Sequence, residues 1–378
     1  MHICFPFVGD SLGGSHISTL ILIAELIQRG FEVTIVCHCS GPLKKEIEAR
    51  RLSAETLEIS SDIGRRGGLV SYCADTSRSF RPIYQFLKKI RPDVIHTNDM
   101  RVHLYWSIPA RLRHTPVVWH QRTFIGKSKL AVATMYLSTH IVAISQSVAG
   151  SIPRLYRRKL TVIPNPVEEV WLDSRLVQSA NLEMLTNCFA PSTKKPILIG
   201  AFGALRELKK PFIFVDVIEQ LVKRHGDNIV GFMFGKDLEG LSDRISRAAQ
   251  NKGVAKNIVI MGFCRPIEPF MKSCNLLLAT STGDAFGRTL IEGMSLGVPI
   301  VAVKAGGHKE IIEHEINGLM ADPDNVGDIV NCVQRVLQDE HLKGTIVRNG
   351  YKSVREKYNV RKHTDDIWEI YSKVVTKF

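Results

Sequence analysis

Two carboxylates, Asp284 and Glu292, flank a turn of small residues in the second half of the chain. The apolar run 276–279 predicts a buried strand before the turn, and a helix is expected to begin near Arg288. The first N–H groups of such a helix, at the positive end of its dipole, can bind a phosphate. Two acceptor-only carboxylates beside a phosphate site suit a ligand with both phosphate and hydroxyl groups, such as a nucleotide sugar.

The turn between the two acids contains Gly283, Ala285 and Gly287, so backbone N–H groups there can approach a ligand closely. An ordinary strand–turn–helix unit with surface acids is the alternative interpretation, because such units are common in α/β proteins. The residues around the turn, considered with the rest of the chain, decide between the two.

The N-terminal region predicts a strand over 3–8, a helix over 17–29 and a second strand over 31–37, which together form a βαβ unit. Such units favour a parallel sheet with a ligand at the strand ends. The turn in this unit contains Gly13 and Gly14, which do not match the G-x-G-x-x-G dinucleotide fingerprint. We therefore expect no nicotinamide or flavin site there and no cofactor.

Strands and helices continue to alternate along both halves of the chain. The first half predicts helices over 80–90, 102–112 and 147–156 and strands over 94–96, 116–120, 140–145 and 160–163. The second half predicts strands over 196–202, 229–234, 257–261, 275–279 and 298–303 and helices over 211–225 and 239–252, with amphipathic helices from 326 to the end. Residues 167–195 read as a linker with a short helical piece near Leu182.

This alternation predicts an α/β protein of two doubly wound, Rossmann-like domains that face each other across a cleft. We expect a domain over 1–168, a linker and second domain over 169–355, and a C-terminal helix over 356–378 that crosses back to the first domain. The length of 378 residues is comfortable for two cores.

Composition restricts the partners. The formal charge of +13 implies attraction to something anionic, but no nucleic-acid-binding signature accompanies it, so we expect no nucleic acid. The eight cysteines show no paired C-x-x-C spacing, which favours reduced thiols and a cytoplasmic protein. No apolar run is long enough to span a bilayer.

Residues 284–294, Asp-Ala-Phe-Gly-Arg-Thr-Leu-Ile-Glu-Gly-Met, resemble the Glu-x7-Glu signature of retaining GT-B glycosyltransferases of family GT4. The first acid here is Asp284 rather than Glu, so its side chain is one methylene shorter. Four further segments follow the family pattern in order and spacing: 91–96, 118–122, 143–148 and 162–167. The resemblance covers nearly the whole chain.

The resemblance implies a role for the loop after the strand 196–202. This loop looks like the family's G-R-L-x-x-x-K segment, whose cations neutralise the donor diphosphate, and Lys209 occupies the Lys position. Ala204 stands where Arg is frequent, and we expect Arg206 to supply the missing charge. Cations at this place would stabilise the charge that develops on a departing nucleoside diphosphate.

The remaining site residues are also expectations from the resemblance. Asp284 would bond hydroxyls of the donor sugar, Glu292 would bond the ribose, and His120 at a strand end would lie near the transferred sugar. Gly13 and Gly14 would let the N-terminal loop close over the diphosphate. Backbone N–H groups that would meet the sugar and the diphosphate belong to Phe286, Gly287, Arg288 and Thr289.

The resemblance implies a metal-independent, retaining glycosyltransferase that moves a sugar from a nucleoside-diphosphate sugar to a hydroxyl acceptor. A lipid-linked or anionic acceptor, a role in cell-envelope glycan or glycolipid synthesis and peripheral contact with an anionic inner membrane face are further hypotheses, suggested by basic groups in the first half. Two alternatives stay open: a nucleotide-sugar epimerase of the same architecture, and a protein that binds sugar nucleotide without turnover.

Overall fold

The computed structural model describes residues 1–59, 69–126, 132, 134–168 and 196–376. The chain divides into two compact units, one of Met1–Pro166 with Val360–Phe378 and one of Val167–Asn359. We call them unit 1 and unit 2. The helical piece predicted near Leu182 lies outside the described residues.

Unit 1 contains a seven-stranded parallel sheet with the order β3-β2-β1-β4-β5-β6-β7. Its strands are β1 (His2–Phe7), β2 (Glu32–Cys37), β3 (Glu55–Thr56), β4 (Val94–Thr97), β5 (Val117–Gln121), β6 (His140–Ala143) and β7 (Leu160–Val162). The order reverses between β1 and β4, which defines a doubly wound sheet. Helices cover such a sheet on both faces, so its central strands are continuously apolar and buried.

The helices of unit 1 include the C-terminal one. They are α1 (Gly14–Gln28), α2 (Pro42–Ala49), α3 (Leu69–Ile90), α4 (Met100–Leu112), α5 (Gln146–Ser151) and α13 (Val360–Val375). Helix α13 buries Ile367, Ile370, Tyr371 and Val374 in the same core as β1 and α1. The last 16-residue helix is therefore part of the core of unit 1 rather than an appendage.

The prediction of one helix over 147–156 is wrong. Helix α5 ends at Ser151, and a separate 3₁₀ helix spans Arg154–Lys159. Proline 153 explains the break, because its ring disfavours helical geometry at the preceding residue. Ile152 accordingly has an extended backbone with φ −83° and ψ 130°.

Unit 2 contains a six-stranded parallel sheet with the order β10-β9-β8-β11-β12-β13. Its strands are β8 (Ile197–Phe202), β9 (Ile229–Phe234), β10 (Ile258–Gly262), β11 (Leu276–Ala279), β12 (Ile300–Val303) and β13 (Leu319–Ala321). Its helices are α6 (Pro211–His225), α7 (Ser242–Asn251), α8 (Glu268–Ser273), α9 (Arg288–Ser295), α10 (His308–Ile311), α11 (Val326–Gln338) and α12 (Glu340–Lys357). The two doubly wound parallel sheets confirm the prediction of an α/β chain with two Rossmann-like units.

Two further observations complete the fold. Within the described ranges, no helix combines the length and the apolar character needed to cross a bilayer. The cysteines of those ranges whose side chains are described are free thiols.

Candidate active site

The turn after β11 leads directly into the eight-residue helix α9. Gly287 caps the helix with a left-handed backbone at φ 106°, a conformation that favours glycine. The amides of Arg288 and Thr289 lie in the first turn of α9, where N–H groups have no carbonyl partner within the helix. The predicted strand, turn and helix are therefore present, and the helix begins at Arg288 as predicted.

A second glycine turn, Gly306–Gly307 after β12, packs against the loop that carries Asp284. The Gly307 N–H donates to the Asp284 carbonyl at 2.8 Å. A Cβ atom at Gly306 would lie 2.3 Å from that same carbonyl oxygen, and one at Gly307 would lie 2.3 Å from the carbonyl oxygen of Phe286. These contacts leave no room for a side chain, so the glycine pair sets the position of the acid-bearing loop.

Asp284 accepts hydrogen bonds from two other side chains. Lys209 Nζ lies 2.7 Å from Oδ1 and 2.8 Å from Oδ2, and His308 Nε2 lies 3.3 Å from Oδ2. Burial alone would raise the pKa of Asp284, but the hydrogen bond from His308 and the charge of Lys209 hold it well below its usual range. Asp284 is therefore an ionised, oriented carboxylate.

Lys209 comes from a 3₁₀ helix, Glu207–Lys209, in the loop that follows β8. Thr280 at the end of β11 donates its hydroxyl to the Lys209 carbonyl at 2.8 Å. Gly203 has φ 133° and a Cβ there would lie 3.3 Å from Lys209 Cε, so glycine leaves room for the lysine stem. Because β8 and β11 are neighbours in the sheet, their loops meet at one edge and bring the cation to the carboxylate.

A partly open cleft lies beside this group. Its lining includes Gly203, Ala204, Lys209, Asp284 and Thr289. The cleft therefore brings together a cation, a carboxylate and a residue of the first turn of α9, among otherwise mostly apolar neighbours.

The other predicted residues of unit 2 take different places. Arg206 is exposed and does not line that cleft. Phe286 is buried edge-on against Tyr358, with ring centroids 5.8 Å apart. Arg288 Nη2 donates to Glu292 at 2.7 Å, so the second acid of the motif forms an ion pair within α9.

Unit 1 contains a second group of polar side chains, centred on His120 near the end of β5. His120 Nδ1 lies 3.2 Å from His96 Nε2 and 3.2 Å from Arg122 Nη2. His96 Nδ1 lies 2.5 Å from the Tyr371 hydroxyl of α13. Burial and the charge of Arg122 place the pKa of His120 well below its ordinary value, so the ring is neutral.

Arg122 is buried among acceptors from three other segments. It donates to the side-chain oxygens of Asn98, Asn165 and Thr19. Asn165 lies between the two prolines that end the first half of the sequence. Sequence reasoning missed His96, Tyr371 and the neighbours of Arg122, because nothing in their spacing signals a contact.

Gly13 and Gly14 lie at the start of α1, where Gly13 is the cap residue with an extended backbone (φ −148°). Its N–H donates to His16 Nδ1 at 3.1 Å. That backbone conformation is open to any residue, so the conformational need for glycine lies elsewhere. It falls at Gly9, whose φ is 91° and whose Cβ would lie 2.6 Å from the Cys39 carbonyl.

Comparisons with known proteins identify the family of this chain. A family model described as "Glycosyl transferases group 1" matches residues 189–353, and "Glycosyltransferase Family 4" matches residues 12–170. The chain is 28% identical over 302 residues to the uncharacterized glycosyltransferase MJ1607 of Methanocaldococcus jannaschii, covering 74% of this chain and 75% of that protein. It is 20% identical over 365 residues to the Escherichia coli UDP-Gal:alpha-D-GlcNAc-diphosphoundecaprenol alpha-1,3-galactosyltransferase, covering 91% and 90%.

Solved structures show the same fold. Anabaena HepE in complex with UDP-glucose superimposes with a TM-score of 0.80 at 21% identity, covering 99% of this chain and 100% of that one. A glycosyltransferase from Rickettsia africae gives a TM-score of 0.83 at 18% identity, covering 99% and 98%. The chain belongs to the GT-B glycosyltransferases of the group 1 and family 4 type.

Proposed function

We propose that this glycosyltransferase moves a sugar from a nucleoside diphosphate to a hydroxyl acceptor, with retention at the anomeric carbon and without a metal ion. The observation that carries the proposal is the group formed by Lys209, Asp284 and His308 beside the first turn of α9. Lys209 and the helix amides oppose the negative charge that develops on the departing diphosphate. They supply the electrostatic stabilisation that a metal ion would otherwise give.

The ion pair between Lys209 and Asp284 also suits the donor. An ammonium group has three N–H donors, and Lys209 directs Nζ at both oxygens of Asp284, which leaves a further N–H for a diphosphate oxygen. Asp284 remains ionised and can accept from hydroxyls of the donor sugar. We assign the ribose hydroxyls to Glu292 and the sugar and diphosphate oxygens to the amides of residues 286–289. Arg206, which is exposed and outside the lining of the cleft, is assigned supporting positive charge at longer range.

The product shows whether the reaction retains the anomeric configuration of the donor sugar. A panel of UDP-, GDP- and ADP-sugars identifies the donor, because a ligand that binds only the folded protein raises its Tm. Incubation of that α-linked donor with a hydroxyl-acceptor panel in the presence of EDTA should give an α-linked product, assigned by the NMR coupling of its anomeric proton. A β-linked product, or turnover that needs an added metal, would contradict the proposal.

The same assay separates the alternatives. Conversion of the donor into an isomeric sugar nucleotide without acceptor would indicate an epimerase. A raised Tm without turnover on any acceptor would indicate a protein that only binds sugar nucleotide.

We assign the donor to the domain of residues 169–355 and the acceptor to that of residues 1–168. The Escherichia coli relative is named for a diphosphoundecaprenol acceptor, and a Rhizobium meliloti relative for lipopolysaccharide core biosynthesis. By analogy we propose a lipid-linked acceptor and a role in cell-envelope glycan or glycolipid synthesis, at the cytoplasmic face of the membrane.

The charge distribution supports peripheral contact with an anionic membrane. Between Asp99 and Glu168 the sequence has ten Lys and Arg residues and no acidic residue, within a chain of net charge +13. This stretch belongs to unit 1. The excess charge of the chain is therefore concentrated in one segment of the proposed acceptor domain.

Part of this segment forms an exposed surface, which we call the basic–apolar face. Its apolar members Leu112, Tyr136 and Leu155 are 58%, 67% and 69% exposed. Arg111 lies over the Tyr136 ring at 5.9 Å, and Lys159 Nζ donates to the Met135 carbonyl at 2.8 Å, so the three backbone segments are adjacent. The exposed cations around them are Arg111, Arg154, Arg157 and Arg158. Apolar side chains among arginines suit a surface of anionic phospholipid.

Vesicle co-sedimentation tests this surface. The protein should sediment with phosphatidylglycerol-containing vesicles and not with pure phosphatidylcholine. Replacing Arg154, Arg157 and Arg158 together by Gln should abolish the difference, because each cation near an anionic surface contributes about 1 kcal/mol. A matched triple replacement in unit 2 at Arg247, Lys256 and Lys352 should leave it intact. Equal sedimentation with both lipids would remove the membrane contact from the proposal.

A further inference from the structure

We propose that Arg122, His96 and Tyr371 are positioning residues that fix His120 as a neutral imidazole with its proton on Nε2. His120 is then a hydrogen-bond donor at Nε2 and cannot act there as a base. The consequence for sugar binding rests on the proposed function, whereas the tautomer is a property of unit 1 that can be measured without turnover.

The first step is the contact between Arg122 and His120. A guanidinium has only donors, and Arg122 Nη2 lies 3.2 Å from His120 Nδ1. Nδ1 must therefore accept, and in a neutral ring the proton resides on Nε2. The adjacent positive charge also opposes a second proton on the ring.

The second step extends the direction of donation to α13. His96 Nε2 faces the same lone pair of His120 Nδ1 from 3.2 Å, so the two donors share it, and a proton on His96 Nε2 avoids the repulsion of two facing lone pairs. His96 Nδ1 is then an acceptor and faces the Tyr371 hydroxyl at 2.5 Å, which must donate. Burial raises the pKa of Tyr371 well above its ordinary value, so the hydroxyl keeps its proton. Every hydrogen bond from Tyr371 to His120 therefore has one permitted direction.

The third step concerns His120 Nε2, the last atom in this series of hydrogen bonds. Among the described residues, His120 Nε2 is buried and has no hydrogen-bond partner. The ring of His363 stacks on His120, with centroids 5.9 Å apart. His363 Nδ1 donates to the Pro164 carbonyl at 2.8 Å, so its own Nε2 is an acceptor, and that atom is likewise buried without a partner in the described ranges.

One ring therefore presents a spare N–H and the stacked ring presents a spare lone pair. A hydroxyl group both accepts and donates, so it is the chemical class that can satisfy these two rings. We assign His120 the role of donor to a hydroxyl oxygen and His363 the role of acceptor from a hydroxyl. The groups that face His120 are His96, Arg122 and His363, and all of them favour its neutral form.

Long-range ¹H–¹⁵N NMR of the full chain, labelled at histidine, tests the tautomer because a protonated ring nitrogen and an unprotonated one resonate far apart. His120 is assigned by the signals that His120→Gln removes, and His96 by His96→Gln. We expect His120 to show a protonated Nε2 and an unprotonated Nδ1, and His96 to show the same pattern. A proton on Nδ1 of His120 would overturn the proposal.

Variants test which residues set the tautomers of His120 and His96. Tyr371→Phe removes the terminal donor and should let His96 populate the form protonated on Nδ1, whereas Tyr156→Phe, which deletes another donating hydroxyl of unit 1, should not. Arg122→Met should mix the tautomers of His120, and Arg122→Lys should restore the single form. We expect kcat to fall about tenfold in Tyr371→Phe with the KM for the donor unchanged. Unaltered ring signals in Tyr371→Phe and Arg122→Met would contradict this proposal. The expected tautomer in a protein without transfer activity would contradict the proposed function alone.

Discussion

The two units share one topology and differ in how they hold buried polar groups. Unit 1 keeps several buried histidines neutral, since burial lowers the pKa of His38 to about 4 and the pKa values of His103 and His363 to about 3. Unit 2 keeps its central carboxylate charged, since His308 and Lys209 overcome the effect of burial on the pKa of Asp284. One doubly wound framework thus supports a neutral relay in one copy and an ion pair in the other.

This difference predicts that low pH changes the stability of the two units unequally. A buried histidine with a lowered pKa does not affect stability while it is neutral in both the folded and the unfolded state. Once the pH is low enough to protonate it in the unfolded state, the proton favours unfolding. An ionised aspartate with a lowered pKa keeps its charge far below neutral pH. Acid should therefore weaken unit 1 while the ion pair of unit 2 stays intact.

The largest expected effect is acid destabilisation of unit 1. Unfolded histidines take up protons near pH 6.5 and the buried ones do not, so their contribution is complete above that pH and is lost as the pH falls. Between pH 7 and pH 5 each such histidine should lower the free energy of unfolding by about 2 kcal/mol. Hydrogen exchange, corrected for its intrinsic pH dependence, should show the loss in β1, β4 and β5 before β8, β9 and β11.

One variant sharpens this test. His38 Nε2 accepts a hydrogen bond from Trp106 Nε1 at 2.8 Å, and the side-chain oxygen of a glutamine can replace it as acceptor. His38→Gln should therefore flatten the pH dependence of unit 1 by one titrating group. Equal pH sensitivity of the two units would contradict the contrast between them.

The next largest effect concerns the ion pair of unit 2. Lys209→Ala removes the cation from Asp284 and from the proposed diphosphate site, and kcat/KM should fall by about 100-fold to 1,000-fold. Steady-state kinetics with the identified donor measures the loss. Lys210→Asn is the matched control, because Lys210 pairs with the exposed Asp324 and has a left-handed backbone that asparagine tolerates. An unchanged kcat/KM in folded Lys209→Ala would remove this lysine from the mechanism.

The fold could be predicted where local signals and the tertiary structure agree. The helix over 211–225 and the strand over 229–234 have the predicted bounds. Pro211 begins that helix and Gly226, with φ 83°, follows it, so local sequence signals define both ends of the helix. Pro153 is the counter-example, because the apolar pattern around it concealed a break that its ring imposes.

The candidate site divides in the same way. Lys209 and Asp284 follow strands that are neighbours in the sheet, so alternation of strands and helices was enough to bring their loops together. His308 follows a third strand, and its contact with Asp284 depends on the exact path of a glycine turn. Tyr371 is 275 residues from His96, and no spacing rule predicts such a contact.

The smallest expected effect isolates that glycine turn. Gly307 has an ordinary helical backbone at φ −69°, so a replacement there meets only a steric barrier. The Cβ of alanine would lie 2.3 Å from the Phe286 carbonyl oxygen and must displace the loop that carries Asp284. Gly307→Ala should therefore lower the free energy of unfolding by about 1–3 kcal/mol, as overpacking does elsewhere.

The matched change lies in unit 1. Gly150 belongs to α5, and a Cβ there would meet nothing within 4 Å. Gly150→Ala should raise the free energy of unfolding by about 0.5–1 kcal/mol, because alanine loses less conformational entropy in a helix. Guanidinium unfolding curves of the two variants should thus shift in opposite directions. If Gly307→Ala were as stable as the parent and kept its kcat/KM, the close packing behind Asp284 would not be what holds the carboxylate in place.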